Sequence, residues 1–423
     1  MKAKAKKLLI ITYYWPPSGG SGVQRWMYFA KNLKALGWEP FIITVDEKLA
    51  AYPVLDSSLN KEVKNLTTIR TQTREPLRWY ARFNSSSGKG GIPQGAIQRK
   101  DLFGKLTAFI RGNFFIPDAR KGWRKFAWEA AQNLVQKEGI DLVVTTGPPH
   151  SAHWVGSQLK LKFGLRWIID FRDPWVTLFY NAQLYRTSWA VKKDQKEEAR
   201  IVNYADCVLT TVAGNFHNYL KNLAPNQTFY ALPNGYEAAL MAKTPEKKHP
   251  YFHIVYTGLL TENQAYKTLI AALKKLPANN EIVVSLAGQI PEHIINEFKE
   301  NLPESKVKDH GYLAHEKAVQ LMKSADLLVN FIFRGAEQQM ISGKLLEYIA
   351  TEKPILCLGN PDSEVGRFLM QGTAGVLLSP DAEKEILEFI GKARKEKGQL
   401  RNKFPQIEDW SREAISARLA RLL

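Results

Sequence analysis

The sequence predicts an α/β protein of two domains, each a parallel sheet wound with helices. Three observations carry this. Short apolar runs of strand type alternate with segments of helical period along nearly the whole chain. The alternation breaks at the polar stretch EKKHP (246–250) and then restarts, giving two series of similar size. At 423 residues the chain is also too long for one ordinary core.

The first series opens with KKLLIITYYW as a strand, VQRWMYFAKNLKALG as an amphipathic helix closing at Gly37, and EPFIITVDE as a second strand. After a basic segment come the helix RKFAWEAAQNLVQKEG, the buried strand DLVVTTG, the helix SAHWVGSQLKLKFG and the strand RWIIDFRDPW, which Pro174 ends. A polar helix through KKDQKEEARIVNYA, the strand DCVLTTV, a helix around 215–223 and the strand FYALPNG complete it. The second series runs FHIVYTG, KTLIAALKKL, EIVVSLAG, EHIINEFKENL, KVKDHGYL, EKAVQLMKSA, DLLVNFIF, SGKLLEYIATE, KPILCLG. The expected domains are 1–236 and 237–405, and 406–423, with the amphipathic DWSREAISARLARLL, is expected to cross back onto the first.

The net charge of +18 is unevenly spread: residues 70–125 hold 13 Lys and Arg against 3 acidic residues, a local +10, interleaved with aromatics such as Trp79, Phe109, Phe114 and Trp123. Such a surface attracts an anionic membrane, a phosphorylated acceptor or nucleic acid, or is a solvated face with its aromatics turned inward. No zinc-finger spacing and no RNA-recognition signature accompanies the charge, which argues against nucleic acid. The segment NSSSGKGGIPQGAIQ (84–98) reads as a mobile loop suited to acceptor or membrane contact. The apolar run 8–15 meets Pro16 and Pro17, too short for a membrane span and badly shaped for a signal peptide. Cys207 and Cys357 sit apart in apolar segments, as buried thiols of a reducing compartment do. The expected location is the cytoplasm, including the inner face of the membrane.

Four stretches carry chemistry. PPSGGSG (16–22) is a glycine-rich loop between a first strand and a first helix, where backbone N–H groups and the helix dipole favour an anion. It begins like a dinucleotide fingerprint, with Asp46 where a ribose-binding acid would stand, but Arg25 takes the place of the third glycine. TTGPPHSAH (145–153) puts His150 and His153 at the carboxyl end of a strand, as hydroxyl or phosphate donors or as an ordinary cap and surface group. IIDFRDPW (168–175) clusters Asp170, Arg172 and Asp173 at another strand end, to bind a polyhydroxylated ligand or to form a structural salt bridge. In QQMISGKLLEYIATEKPIL (338–356), Ser342 caps a helix, Gly343 permits close backbone approach and Lys344 adds charge, an arrangement suited to a pyrophosphate. Glu347, four residues after Gly343, shares its face and can accept two ribose hydroxyls; the alternative is an ordinary solvated helix.

Taken together, YYWPPSGGSGVQRW, GPPHSAH, DFRDPW, PNGYE (233–237) and GKLLEYIATEKPIL resemble, in order and over nearly the whole chain, the retaining glycosyltransferases of the GT-B fold, family 4, of the bacterial cell-surface polysaccharide type. The resemblance implies two Rossmann-like domains facing a central cleft, with a UDP- or GDP-linked sugar held mostly by the second and the acceptor mostly by the first. It implies that Gly19, Gly20 and Gly22 approach the donor phosphates and the reacting sugar, that His150 contacts the transferred sugar, that Glu347 holds the ribose, and that Lys267 neutralises the leaving diphosphate. Asp173, in the matching DFRDPW, is taken with His150 and Lys267 as a catalytic candidate. No cofactor and no obligatory metal are implied, so cations and helix N–H groups must meet the leaving-group charge. Attack from the front face, with a leaving phosphate oxygen taking the acceptor's proton, requires no general base. Two positions depart from the pattern: Gln339 stands eight before Glu347 where the family pairs two glutamates, and Leu259 stands where an arginine is usual, leaving Lys344 or Arg334 to supply the charge.

The expected activity is transfer of a hexose-type sugar from a nucleoside diphosphate to a lipid-linked or polysaccharide acceptor, with the membrane surface as partner on charge alone. A sugar-nucleotide epimerase of similar two-domain build and a catalytically inert, anion-binding scaffold are the alternatives.

Overall fold

The computed structural model describes residues 5–50, 52, 54–75, 102–276, 282–302, 306–335 and 341–423. The loop expected at 84–98, part of the basic stretch, and Gln339 fall outside the described residues. The chain divides into two compact units, Met1–Pro233 with Ser416–Leu423, and Asn234–Ile415.

In the first unit the strands are β1 (Lys6–Ile11), β2 (Trp38–Val45), β3 (Thr67–Thr71), β4 (Leu142–Gly147), β5 (Arg166–Phe171), β6 (Cys207–Thr210) and β7 (Phe229–Ala231). They form one parallel sheet in the order β3-β2-β1-β4-β5-β6-β7. A strand covered on both faces must be apolar on both, which is why these strands read as unbroken apolar runs. Leu9, Ile11, Phe41 and Ile43 pack into one core cluster, and the alternate residues Leu8, Ile10 and Ile42 are equally buried. Helices Arg124–Glu138 and Ala152–Phe163 stop at Gly139 and Gly164, which take left-handed backbone and return their N–H groups to Val135 and Lys160. The last residues belong to this unit: Asn32 donates to Ser416 Oγ at 3.0 Å, and Arg166 to the Leu423 carbonyl at 2.6 Å.

In the second unit β8 (Phe252–Thr257), β9 (Ile282–Ala287), β10 (Val307–Asp309), β11 (Leu327–Phe331), β12 (Ile355–Leu358) and β13 (Gly375–Leu378) pair in parallel in the order β10-β9-β8-β11-β12-β13. Both units thus share the order 3-2-1-4-5-6, with a seventh strand added to the first. The order reverses between β1 and β4 and between β8 and β11, and ligands of open parallel sheets bind beyond the carboxyl ends at such reversals. Both cysteines are buried and unpaired. Among the described residues no helix is long and apolar enough to cross a membrane, and no His, Cys, Asp and Glu group could hold a metal ion.

Candidate functional site

Each unit presents chemistry at its own strand-order reversal. In the first, the glycine-rich loop follows β1 and GPPHS follows the neighbouring β4. Gly20, at φ 99°, stands at the N-cap of helix Ser21–Ala35. The Gly19 N–H is already bonded to the Val54 carbonyl at 3.0 Å. A Cβ on Gly22 would lie 2.5 Å from Arg172 Nη1, so the missing side chain admits that guanidinium. Arg172 donates to the carbonyls of Gly22, Gly147 and Pro148, tying the two loops together. Asp170 is fully occupied. It accepts from Arg25 Nη2 at 2.7 Å, from Trp26 Nε1 at 2.6 Å and from Thr146 Oγ at 2.8 Å. Burial alone would raise its pKa, but the Arg25 guanidinium and these hydrogen bonds hold it below the usual carboxylate range. Of the acidic pair, Asp170 is therefore the structural salt bridge. Asp173, half-buried and without a hydrogen bond among the described residues, is pushed upward by burial against the pull of Arg172.

His150 lies flat on the Trp175 indole, ring centroids 5.0 Å apart and planes within 4°. Burial, with His153 beside it, holds its pKa well below the ordinary value, so the ring is neutral. The Pro174 backbone acts the other way but does not offset burial, and among the described residues neither ring nitrogen has a hydrogen-bond partner. His153 Nδ1 meets Thr145 Oγ at 2.9 Å, and the same oxygen receives the Trp167 indole N–H at 2.9 Å. An indole N–H only donates, and Thr145 has no other acceptor among the described residues. Its hydroxyl proton therefore goes to His153 Nδ1, and the neutral His153 ring carries hydrogen on Nε2, which is also unpartnered. Both imidazoles close over Gly147, where a Cβ would stand 2.5 Å from His150 Nδ1 and 2.8 Å from His153 Nε2. Gly147→Ala is therefore expected to displace His150 from Trp175 and to cost about 1–3 kcal/mol in stability, as overpacking of a filled site does. A denaturation midpoint and the His150 ring signals in an NMR spectrum check this.

In the second unit, helix Gly343–Ala350 presents the donor-type residues. Ser342 occupies the N-cap, but its side chain makes no capping bond, and its Oγ is buried without a partner among the described residues. Lys344 reaches back over β8: its Nζ lies 4.1 Å from the Tyr256 ring centroid, donates to Tyr256 Oη at 2.9 Å and rests against Gly258. The Tyr256 hydroxyl in turn donates to the Leu259 carbonyl at 2.5 Å, so its oxygen is left to accept from the lysine. The residue keeps some exposure, but its ammonium is withdrawn from water, and burial pulls its pKa down to about 7. Glu347 is buried, with Oε1 bonded to His315 Nε2 at 2.7 Å and to Arg412 Nη2 at 3.3 Å. Burial would raise its pKa, yet His315 and Arg412 hold it down. Oε2 takes no hydrogen bond among the described residues. Glu237 completes the ring, 3.9 Å from both His315 Nδ1 and Arg412 Nη1.

The structure thus brings Ser342, Gly343, Lys344 and Glu347 onto one helix of the second unit, and Gly20, Gly22, His150 and Asp173 to one sheet edge of the first. Lys267, expected to neutralise the leaving diphosphate, has its largely exposed ammonium paired with Glu297 at 3.0 Å, and Tyr266 donates to the same carboxylate at 2.7 Å. Arg334 is exposed, its N–H bonded to Asn263 Oδ1 at 2.6 Å. Sequence reading missed Tyr256, His315, Arg412 and Trp175. Glu237 and Trp175 end the motifs PNGYE and DFRDPW, whereas His315 and Arg412 lie far along the chain from Glu347, with nothing local to link them to it.

No family model and no curated protein matches the chain. Solved structures do. Sucrose-phosphate synthase from Thermosynechococcus elongatus superposes with a TM-score of 0.67 at 17% identity, covering 99% of this chain and 98% of that one. HepE from Anabaena in complex with UDP-glucose gives 0.58 at 13% identity, over 98% and 94%. The lipopolysaccharide outer core galactosyltransferase WaaB gives 0.56 at 12% identity, over 98% and 99%. At such identities the likeness shows the fold, which is that of the GT-B glycosyltransferases.

Proposed function

We propose that the protein transfers a hexose-type sugar from a UDP- or GDP-linked donor to a lipid-linked or polysaccharide acceptor, without a metal and with retention of configuration, as in family 4. The observation that carries this reading is the pairing of Lys344 and Glu347 on one helix at the strand-order reversal. An ammonium with one neutral acceptor and an unpartnered Ser342 hydroxyl stand where helix N–H groups point, and one turn on stands a carboxylate with one oxygen held and the other open. The first end suits a diphosphate, the second a ribose. UDP-glucose in HepE agrees with such a ligand.

In the proposed step the acceptor oxygen bonds to the anomeric carbon as the bond from that carbon to the phosphate oxygen breaks. That phosphate oxygen takes the acceptor's proton. Lys344 and the first N–H groups of its helix stabilise the charge left on the diphosphate. The neutral imidazole of His150 and the open carboxylate of Asp173 are assigned to hydroxyls of the sugar and acceptor, and Gly20 to close backbone approach, with Gly22 making room for Arg172. Lys267 contributes only if the ligand draws it away from Glu297.

A thermal-shift screen over common nucleotide sugars tests this, since a ligand of the native state raises its melting temperature. A shift with none of them rejects the reading. Glu347→Ala is expected to weaken a ribose donor about 10- to 100-fold, the worth of hydrogen bonds to a charged group. It is also expected to erase discrimination between UDP and its 2′,3′-dideoxy analogue; discrimination kept in the variant would remove Glu347 from the ribose. Incubation with donor alone separates transfer from epimerisation, because an epimerase releases an altered sugar without an acceptor.

A further inference from the structure

Helix Leu102–Phe114 turns Ala108, Gly112 and Asn113 inward. On its other side Leu106, Phe109, Ile110 and Phe114 are 53, 37, 39 and 64% exposed. Their spacing at i, i+3, i+4 and i+8 makes one continuous apolar face. Asn113 fastens this helix to the start of helix Ser188–Tyr204: its Oδ1 accepts the Thr187 N–H and hydroxyl, each at 2.7 Å, and its amide donates to the Tyr185 carbonyl at 3.1 Å. Tyr185 and Trp189, on either side of that seam, are 51 and 63% exposed. Large exposed side chains gathered on one face mark a contact surface.

The charge around them is mainly positive. Lys105, Lys192, Lys193 and Lys196 are exposed, and the Lys193 ammonium stands 4.9 Å over the Trp189 ring. Lys121 lies close enough to Arg124 and Lys193 that, after burial, these two cations are what pull its pKa down. The nearby acids already have partners. Asp118 binds the Ser151 N–H at 2.7 Å, Asp194 binds the Trp175 indole at 2.7 Å, and Glu197 pairs with Arg200 at 2.7 Å. Asp118 offsets part of the charge of Lys121 and Arg124, and Glu197 part of that of Arg124, but the cations outnumber these acids, and such an excess attracts an outside anion.

We infer that this face docks on an anionic lipid surface, with Leu106, Phe109, Ile110 and Phe114 at the acyl boundary, Tyr185 and Trp189 at headgroup level, and the lysines on lipid phosphates. The inference rests on the proposed transfer to a lipid-linked acceptor for its purpose and gives that acceptor a place to be met. Basic charge excludes a neutral apolar partner as the natural occupant, and the apolar face distinguishes the surface from a purely electrostatic one.

The test is co-sedimentation of the full chain with vesicles of phosphatidylcholine alone and of phosphatidylcholine with phosphatidylglycerol, at low and high salt. Pelleting is expected only with the anionic vesicles, and less at high salt. Lys192→Glu with Lys193→Glu is expected to lower the partition coefficient about 30-fold or more, each lost cation being worth about fivefold. Leu106→Ser with Phe114→Ser is expected to lower it while leaving the charge intact. Equal pelleting on both vesicles, or unchanged binding by both double variants, overturns the inference. So does a dimer in analytical ultracentrifugation that Leu106→Ser with Phe114→Ser dissociates, since the face then belongs to a second copy. Nucleotide-sugar thermal shifts run alongside keep the two readings apart. A wild-type protein that binds anionic vesicles and no nucleotide sugar loses the proposed reaction and keeps the docking face.

Discussion

Replacing Lys344 by Met is expected to lower kcat by about 100- to 1000-fold, the loss typical when one preorganised charge facing a developing anion is removed. KM for the donor is expected to rise less, because the diphosphate carries more localised charge as it leaves than while it is still bonded to the sugar. The geometry gives the reason. Among the described residues Lys344 Nζ has one neutral acceptor, Tyr256 Oη, at 2.9 Å, and it lies 4.1 Å from the centre of that ring. Ring and hydroxyl hold the amine in place without cancelling its charge. Lys344→Arg keeps the charge, but a planar fork does not replace a compact ammonium packed against Gly258, so only partial rescue is expected. Tyr256→Phe keeps the ring, removes the hydroxyl, and is expected to cost less than either. A steady-state comparison of the three variants with a verified donor decides the matter; full activity in Lys344→Met would remove the lysine from catalysis.

The same lysine sets a pH dependence with two opposite signs. In the free protein burial lowers its pKa to about 7, against about 10.4 in an unfolded chain. Between these values the unfolded state binds one more proton, so this group makes stability rise with pH from about 7 to about 10. Donor binding runs the other way, because a diphosphate needs the ammonium. Below about pH 7 the cation is present beforehand. Above it, binding must take up a proton, and affinity is expected to fall by up to tenfold per pH unit until the pKa of the bound state is reached. Calorimetry in buffers of different ionisation enthalpy measures that uptake. Lys344→Met is expected to flatten both trends.

The parts of this protein that were legible in its sequence are those fixed by neighbours along the chain. LLII in β1 and LVVTT in β4 announce strands covered on both faces, and glycine or proline marks where each element stops. Ser342, Gly343, Lys344 and Glu347 could be read together because a helix puts i, i+1, i+2 and i+5 at one end within two turns. What tertiary packing decides was not legible. His315 and Arg412 reach Glu347 from 32 and 65 positions away, converting an apparently free acid into one with a single open oxygen. Lys267 was picked out by position in the sequence, but its side chain pairs with Glu297 on a helix whose docking no local pattern encodes. IIDFRDPW contains two acids three residues apart, one saturated and the other open, and only the positions of Arg25, Trp26 and Thr146 distinguish them.

That distinction leads to the largest stability effect. Asp170→Ala is expected to destabilise the first unit by about 3–5 kcal/mol, because it takes from the buried Arg25 guanidinium its carboxylate and leaves neutral carbonyls such as those of Leu232 and Pro233, at 2.7 and 3.1 Å, to accept from it. Trp26 Nε1 and the Thr146 hydroxyl lose their acceptor in the same stroke. Asp170→Asn preserves shape but presents an amide N–H to a shell made entirely of donors, so it is expected to rescue little. Arg25→Met combined with Asp170→Leu removes both charges, and the double variant is expected to be more stable than Asp170→Ala alone. An uncompensated buried cation costs more than the pair contributes. The folded pKa of Asp170 is depressed, so its contribution is complete above the unfolded value near 3.9 and is lost only as pH falls through the lower folded value. The wild type and Asp170→Ala should therefore converge in stability only in strong acid. Guanidinium unfolding across that range, followed by tryptophan fluorescence, tests both magnitude and direction. A gap that closed on going alkaline would mean that Asp170 is not the charged partner that holds Arg25.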